Sequence, residues 1–330
     1  MALIGSLNSG ISALRNFARG LEVIGNNIAN VNSVAFKGAT TKYTDSFSQF
    51  LNKPSSSPSD GNGSNTSASQ IGMGVEISGI QTKFLQGAIS ITGQTTDLAI
   101  SGEGFFQVLN VPDNTIFATR AGDFRTDDRN FLVTNEGYRL QGLTGGSASF
   151  TATMVSGELT FTKTDIPPSA IGDFQLDFEP TFANGLLINN TGGAMTDAEV
   201  EAAAPGLDSI GIAPNGEIKA RVTVTGDEVV LGKILLMNFK DPTALTREGA
   251  NLFSGFDAAG VVGSLTLSAA ENTAGTNGLG SIRSGALELS NVDLTEEFAN
   301  MITTQRSFQA GSRIITVSDA VLEEVVNLKR

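Results

Sequence analysis

The sequence predicts a mainly β protein: β-rich central domains between long N- and C-terminal α-helices that pair as a coiled coil. Three observations carry that expectation. Apolar residues recur every seven positions at both ends, the middle of the chain switches to a period of two, and turn residues crowd between its short apolar runs.

Near the start, Leu7, Leu14, Leu21 and Ile28 repeat at seven-residue spacing, with Ile11, Ala18 and Gly25 recurring between them. Alternating steps of three and four place such residues on one narrow helical seam, suited to packing on another helix. The pattern predicts a helix over about Leu3 to Val31, roughly 40 Å long, carrying Arg15 and Arg19 with Lys37 just beyond. It should end at Asn30 to Ser33, where short polar side chains compete for backbone hydrogen bonds. Asn52 to Gln70 (NKPSSSPSDGNGSNTSASQ) is a flexible linker or long surface loop by composition.

From Ile71 the period becomes two. Leu98 to Ile100 and Phe105 to Val108 read as strands broken at Gly102 and Gly104, and Phe117 to Gly142 as a hairpin or meander. The clearest strand is Glu217 to Thr225, with Ile218, Ala220, Val222 and Val224 on one face and charged or hydroxylated residues on the other. Between about Gly145 and Gly206 the pieces are short, irregular and rich in Thr, Ala and Gly, which suggests an inserted domain. The helical period returns with Leu294, Met301, Phe308, Ile315 and Leu322, seconded by Phe298 and Val326. It predicts a helix from Val292 nearly to Arg330, roughly 55 Å long, capped by Ser290 or Asn291, with Asp293, Glu296 and Glu297 in its first turn. The expected organisation is a helical domain from residues 1–40 with 285–330, a linker over 41–70, a β core from 71–142 with 208–284, and a small outer β insert over 143–207.

Composition narrows the function. His 0 and Cys 0 remove Ser-His-Asp and Cys-His nucleophiles, disulfides, and zinc bound through imidazole or thiolate. A net charge of −13 disfavours nucleic acid and anionic membrane surfaces as partners. No run approaches the roughly 18 apolar residues of a membrane span. The N-terminus lacks a basic region followed by a sustained apolar run, so no cleaved signal peptide is expected.

Possible chemical sites have plain structural readings. Gly72-Met-Gly74 and Gly102-Glu-Gly104 complete no phosphate-binding pattern and read as tight turns. Asp123, Asp127 and Asp128 could offer oxygen ligands to calcium, but their spacing fits no EF-hand loop and suits a solvated turn. Asp97 with Glu103 is the carboxylate pair that a glycosidase reading would require. Trp 0 leaves such a cleft without its best sugar-stacking residue. No catalytic residue, cofactor or metal site is assigned. The heptads alone also suit two helices packed inside an ordinary monomer.

Ordered motifs favour assembly instead. Leu21 to Gly38, LEVIGNNIANVNSVAFKG, closely resembles the N-terminal signature of bacterial flagellar rod and hook proteins, with Asn26, Asn27, Asn30 and Phe36 at its centre. Gly87-Ala-Ile-Ser, Thr92-Gly93, Asp97-Leu-Ala-Ile100 and Gly102-Glu-Gly104-Phe105-Phe106 follow in family order. Arg120 to Phe124, Asn135 to Tyr138, Gly249 to Phe253, Ser284 to Val292, Asn300-Met-Ile and Thr304-Gln-Arg306 continue it. The match spans the chain except roughly Leu143 to Leu207. Ile24 to Ile28, the ending Val325 to Arg330 and the insertion after residue 142 look more like the hook branch, whereas the small size of that insertion leaves the distal rod branch as the alternative.

The resemblance implies a non-enzymatic, curved tubular homopolymer that transmits torque, outside the cell, in the flagellar hook and basal body. It implies export through the flagellar type III channel without cleavage. Its implied partners are other copies of the chain, the distal rod protein, the hook cap and the hook–filament junction proteins, with no nucleic acid and no membrane insertion. In the family, terminal helices line the tube and β-domains form the outer layers.

Overall fold

The computed structural model describes residues 2–54, 65, 67–155, 158–174, 181–182, 207–222, 228–263, 267–268 and 270–328. The chain divides into two compact units. One comprises residues 1–32, 37–84 and 292–330; the other comprises 33–36 and 85–291.

The first unit holds the two long helices. The N-terminal helix spans Ala2–Ala29, and the C-terminal helix spans Leu294–Leu328. The former stops at an asparagine-rich turn, where Asn30 Nδ2 donates to the Asn26 carbonyl (2.9 Å) and to Asn26 Oδ1 (2.8 Å). The cap of the latter is Asp293 rather than Ser290 or Asn291. Its Oδ1 accepts from the backbone N–H groups of Thr295 (2.8 Å) and Glu296 (3.3 Å), which holds the Asp293 carboxyl below the usual carboxylate range. Thr303, Thr304 and Ser307 turn their hydroxyls onto carbonyls four residues earlier, so these β-branched and hydroxylated residues sit in the helix without orphaned groups.

The two helices pack against each other in antiparallel fashion, from Ser6 near Ser318 at one end to Asn27 near Glu297 at the other. A two-stranded ribbon joins Ala39–Asp45 to Val75–Thr82 with a bulge at Lys42/Tyr43. A second pair, Ser48–Asn52 with Ser69–Gly72, continues it. The ribbon lies on the N-terminal helix. Asn16 Nδ2 donates to the Val75 carbonyl, and the Phe17 and Tyr43 rings meet edge to face at 5.6 Å. Most of the Asn52 to Gln70 loop falls outside the described residues.

The second unit is mainly antiparallel β, with one parallel pairing, Ser149–Phe150 beside Thr181–Phe182. Its main path runs Leu207–Ile212, Glu217–Val222, Glu228–Ile234, Arg139–Thr144, Phe105–Asn110, Thr115–Thr119, Leu252–Ser254 and Thr246–Gly249. Alternation explains the burial in Glu217–Val222: Ile218 and Ala220 are fully buried, whereas the side chains between them reach solvent. Leu98, Ile100, Phe106, Val108, Leu140, Ile234 and Leu236 close one core at 0% exposure, with Phe124 set edge to face on Phe106 at 5.4 Å. Of the expected insert, Ser147–Val155 and Glu158–Ile166 form an antiparallel pair, joined by the short strand Thr181–Phe182. Residues 183–206 lie outside the described part.

Candidate functional site: the terminal helix pair

The contact between the helices is narrow, and at its centre it is made by small residues. A Cβ placed on Gly10 would lie 3.2 Å from Ile315 Cγ1, and one on Gly311 would lie 3.5 Å from Leu14 Cγ. The absent side chains let the two backbones approach, with Leu14 and Ile315 covering the gap. A Cβ on Gly20 would collide with Tyr43 Oη, so that glycine admits the ribbon's tyrosine to the helix surface. At one end the Ser6 and Ser318 hydroxyls meet at 3.4 Å.

At the other end the contact is polar and enclosed. Asn27 is 1% exposed. Its Nδ2 donates to Glu297 Oε1 (3.1 Å) and to the Ala39 carbonyl (2.8 Å), and its Oδ1 accepts from the Ala39 N–H (3.0 Å). One side chain therefore ties both helices to the first ribbon strand. Burial pushes the Glu297 carboxyl up, against the downward pull of the Asn27 hydrogen bond and of Lys83. A cleft of about 210 Å³ opens beside this knot, lined by residues including Ile24, Tyr43, Glu297, Asn300 and Thr304.

The heptad residues read from the sequence fall into two groups. On the first helix Leu7, Ile11, Leu14, Leu21 and Ile28 are all half-buried. On the second, Met301 and Ile315 are half-buried, whereas Leu294, Phe298, Phe308, Leu322 and Val326 are exposed. The intramolecular seam is centred one residue away on the first helix, at Ser6, Gly10, Ala13, Gly20 and Asn27. It uses Glu297, Thr304, Gly311 and Ser318 on the second. That second series repeats every seven residues as strictly as the apolar one. A search confined to apolar heptads passes over it.

What stays outside the seam is a broad apolar face. Phe298 (49% exposed), Ile302 (54%), Ile314, Val317 (62%), Val321 and Val325 lie open along the C-terminal helix. Each half-open side chain has roughly 1 kcal/mol still to gain from burial, so the helix pair leaves much of its apolar surface unsatisfied. The ribbon does the same with Phe47 (84% exposed), Phe50, Leu51 and Ile71.

The remaining motif residues have structural positions. Asn26 and Asn30 close the first helix. Phe36 is buried beneath the Arg247 guanidinium, 5.1 Å from the ring centre. Gly102 (φ +115°) and Gly104 (φ +129°) take backbone conformations that favour glycine. Phe105 packs edge to face on Phe239 and Phe253, and Phe106 on Phe124. Asp97 accepts from the Thr92 hydroxyl at 2.5 Å and bridges its backbone to Asp123, while Asp127 Oδ1 accepts from the Arg129 and Phe131 N–H groups to form a turn. Among the described residues no cluster of three or more carboxylates is arranged to hold a metal ion.

Three family models match consecutive parts of the chain: flagella basal body rod protein over residues 7–37, the flagellar hook protein FlgE/F/G D1 domain over 99–220, and the flagellar basal body rod FlgEFG protein C-terminal over 283–328. The flagellar basal-body rod protein FlgG of Bacillus subtilis (strain 168) is 36% identical across 99% of this chain and all of that protein. The flagellar hook protein FlgE of Borreliella burgdorferi is 28% identical across 99% of this chain, and that of Escherichia coli (strain K12) 25% across 98%, each over the whole relative. The protein belongs to the flagellar rod and hook family.

Proposed function

We propose that this chain is a structural subunit of the flagellar hook that polymerises with copies of itself into a curved tube and performs no catalysis. The observation that carries the reading is the open apolar face of the C-terminal helix, from Phe298 to Val325, on a helix whose partner in the same chain covers only a narrow polar and glycine seam. Neighbouring copies would cover that face, and the exposed Phe47, Phe50 and Ile71 of the ribbon would add to the contact. Rod, cap and junction proteins of the same axis would meet the ends of the tube. The subunit would reach it through the flagellar export channel with its N-terminus retained.

The hook assignment rests on Ile24 to Ile28, the ending Val325 to Arg330 and the excursion after residue 142. A distal rod subunit is the second reading, favoured by the 36% identity to a rod protein over 329 residues, where the Escherichia coli hook comparison needs 428. Electron microscopy of tubes grown from the purified chain separates the two: long and curved for a hook, short and straight for a rod. A Phe298→Asp variant should stay monomeric and folded. Polymerisation of that variant as readily as the parent would remove the basis of the proposal.

A further inference from the structure

Three stretches of chain lead between the helix-bearing unit and the β unit: residues 33–36, those after 85 and those before 291. Inside the β unit all three are laced at one place. The Ala35 N–H donates to the Glu288 carbonyl (2.8 Å) and the Asn291 N–H to the Phe36 carbonyl (3.2 Å), while Asn291 Nδ2 donates to the Leu85 carbonyl (3.0 Å). Ile89–Ile91 pairs antiparallel with Ala286–Glu288, with Ile89 opposite Glu288. Residues 85 and 291 therefore leave from the same end of this short ribbon. Tension arriving along either would pull on the Ile89–Glu288 end first.

That end is pinned by a charge pair. The Glu288 side chain is 0% exposed. Its Oε1 accepts from the Gly87 N–H (2.8 Å) and its Oε2 from Arg120 Nη1 (3.3 Å). The Arg120 guanidinium reaches on to the Gly102 carbonyl (2.7 Å) and lies over the Phe105 ring at 5.4 Å, which joins the ribbon to the core strands. A buried ion pair is a poor device for equilibrium stability, since apolar residues of similar size often serve as well or better. It is well suited to directional resistance, because separating the pair strands two charges away from water.

We propose that Arg120 and Glu288 form a mechanical clasp that carries tension from the three entering segments into the β core. This rests on the reading of the protein as a torque-transmitting subunit, although the clasp itself can be tested on the single chain. Because Cys 0 leaves the sequence free of native thiols, pulling handles can be placed at will. One pair, Ala299→Cys with Thr115→Cys, loads the full-length protein through the clasp; a second, Glu228→Cys with Lys240→Cys, loads a stretch of the β unit that contains neither Arg120 nor Glu288. In the Arg120→Met/Glu288→Met double variant, the lifetime at fixed load should fall roughly tenfold in the first geometry, since the lost links break early on the unfolding path. It should change little in the second geometry. Should the double variant fail to fold, Arg120→Lys, which keeps the charge and loses the planar fork, is measured in the same two geometries. Equal weakening in both geometries, or none in either, would make the pair a packing element and overturn the proposal. Failure of the chain to form tubes would overturn the hook reading and leave this result standing.

Discussion

The β unit closes its own core, and the helix unit does not. Leu98, Ile100, Phe106 and Ile234 are wholly removed from water within one chain. In the helix unit the buried residues among those described are Gly10, Asn16, Gly20, Asn27, Lys37, Gly38, Glu297, Gly311 and Ser318, while Phe298, Ile302 and Val317 lie open. The same chain therefore holds one region whose apolar core is closed internally and another whose largest apolar side chains remain open to solvent. Backbone ordering costs about 1 kcal/mol or more per residue, and the small residues of the helix seam return little of that. On the function proposed above, the difference separates a folding unit from an assembly unit.

Several measurements would break or sharpen this contrast. The largest effect should come from the closed region: Phe106→Ala leaves a cavity against Phe124 and is expected to cost about 3–5 kcal/mol in urea unfolding of the monomer. A loss below 1 kcal/mol would mean that the core is loosely packed. Next comes Gly10→Leu, whose side chain must enter space already held by Ile315. It should cost roughly 1–3 kcal/mol by overpacking and appear as lost helical circular dichroism with the β signal retained. Simultaneous loss of both signals would show that the two regions fold as one.

A pH titration should follow at smaller amplitude. The carboxyl of Glu297 is raised above its ordinary value of 4.5 by burial, so the folded state holds the proton more tightly than the unfolded state. Stability from this group is greatest at low pH. It declines as pH rises from about the ordinary glutamate value through the folded one, and is level above that. Glu297→Gln keeps an acceptor for Asn27 and should flatten that decline in helical signal. A parent titration that rises over the same window would contradict the assignment. Smallest for the monomer, and most telling for the contrast, is Val317→Asp. An exposed substitution of this kind should shift unfolding by no more than about 0.5 kcal/mol, yet abolish assembly seen by light scattering. Normal assembly would place the intermolecular contact elsewhere.

Some of this was legible beforehand and some was not. Periodicity alone located both helices to within two or three residues, because apolar spacing follows from the helical repeat whatever the partner. It also placed the Glu217 strand, since alternation follows from the pleat. The cap at Asp293 was missed in favour of Ser290 or Asn291: all three residues are capable caps, and only the path of the backbone into the helix selects one. Residues Arg120 and Glu288, separated by most of the β unit in sequence, carry no local pattern that would pair them.

The sequence by itself therefore determined the kinds of element and their order, because these depend on local spacing and composition. Tertiary structure decided which stripe of each helix faces the other. Leu7 to Ile28 and Ser6 to Asn27 are adjacent stripes with the same seven-residue step, and hydropathy favours the first. Packing chose the second at its centre because Gly10 and Gly311 let the backbones approach and Asn27 makes three hydrogen bonds there at once, two with Ala39 and one with Glu297. Close approach and hydrogen-bond satisfaction depend on what lies opposite, which no single stretch of sequence contains.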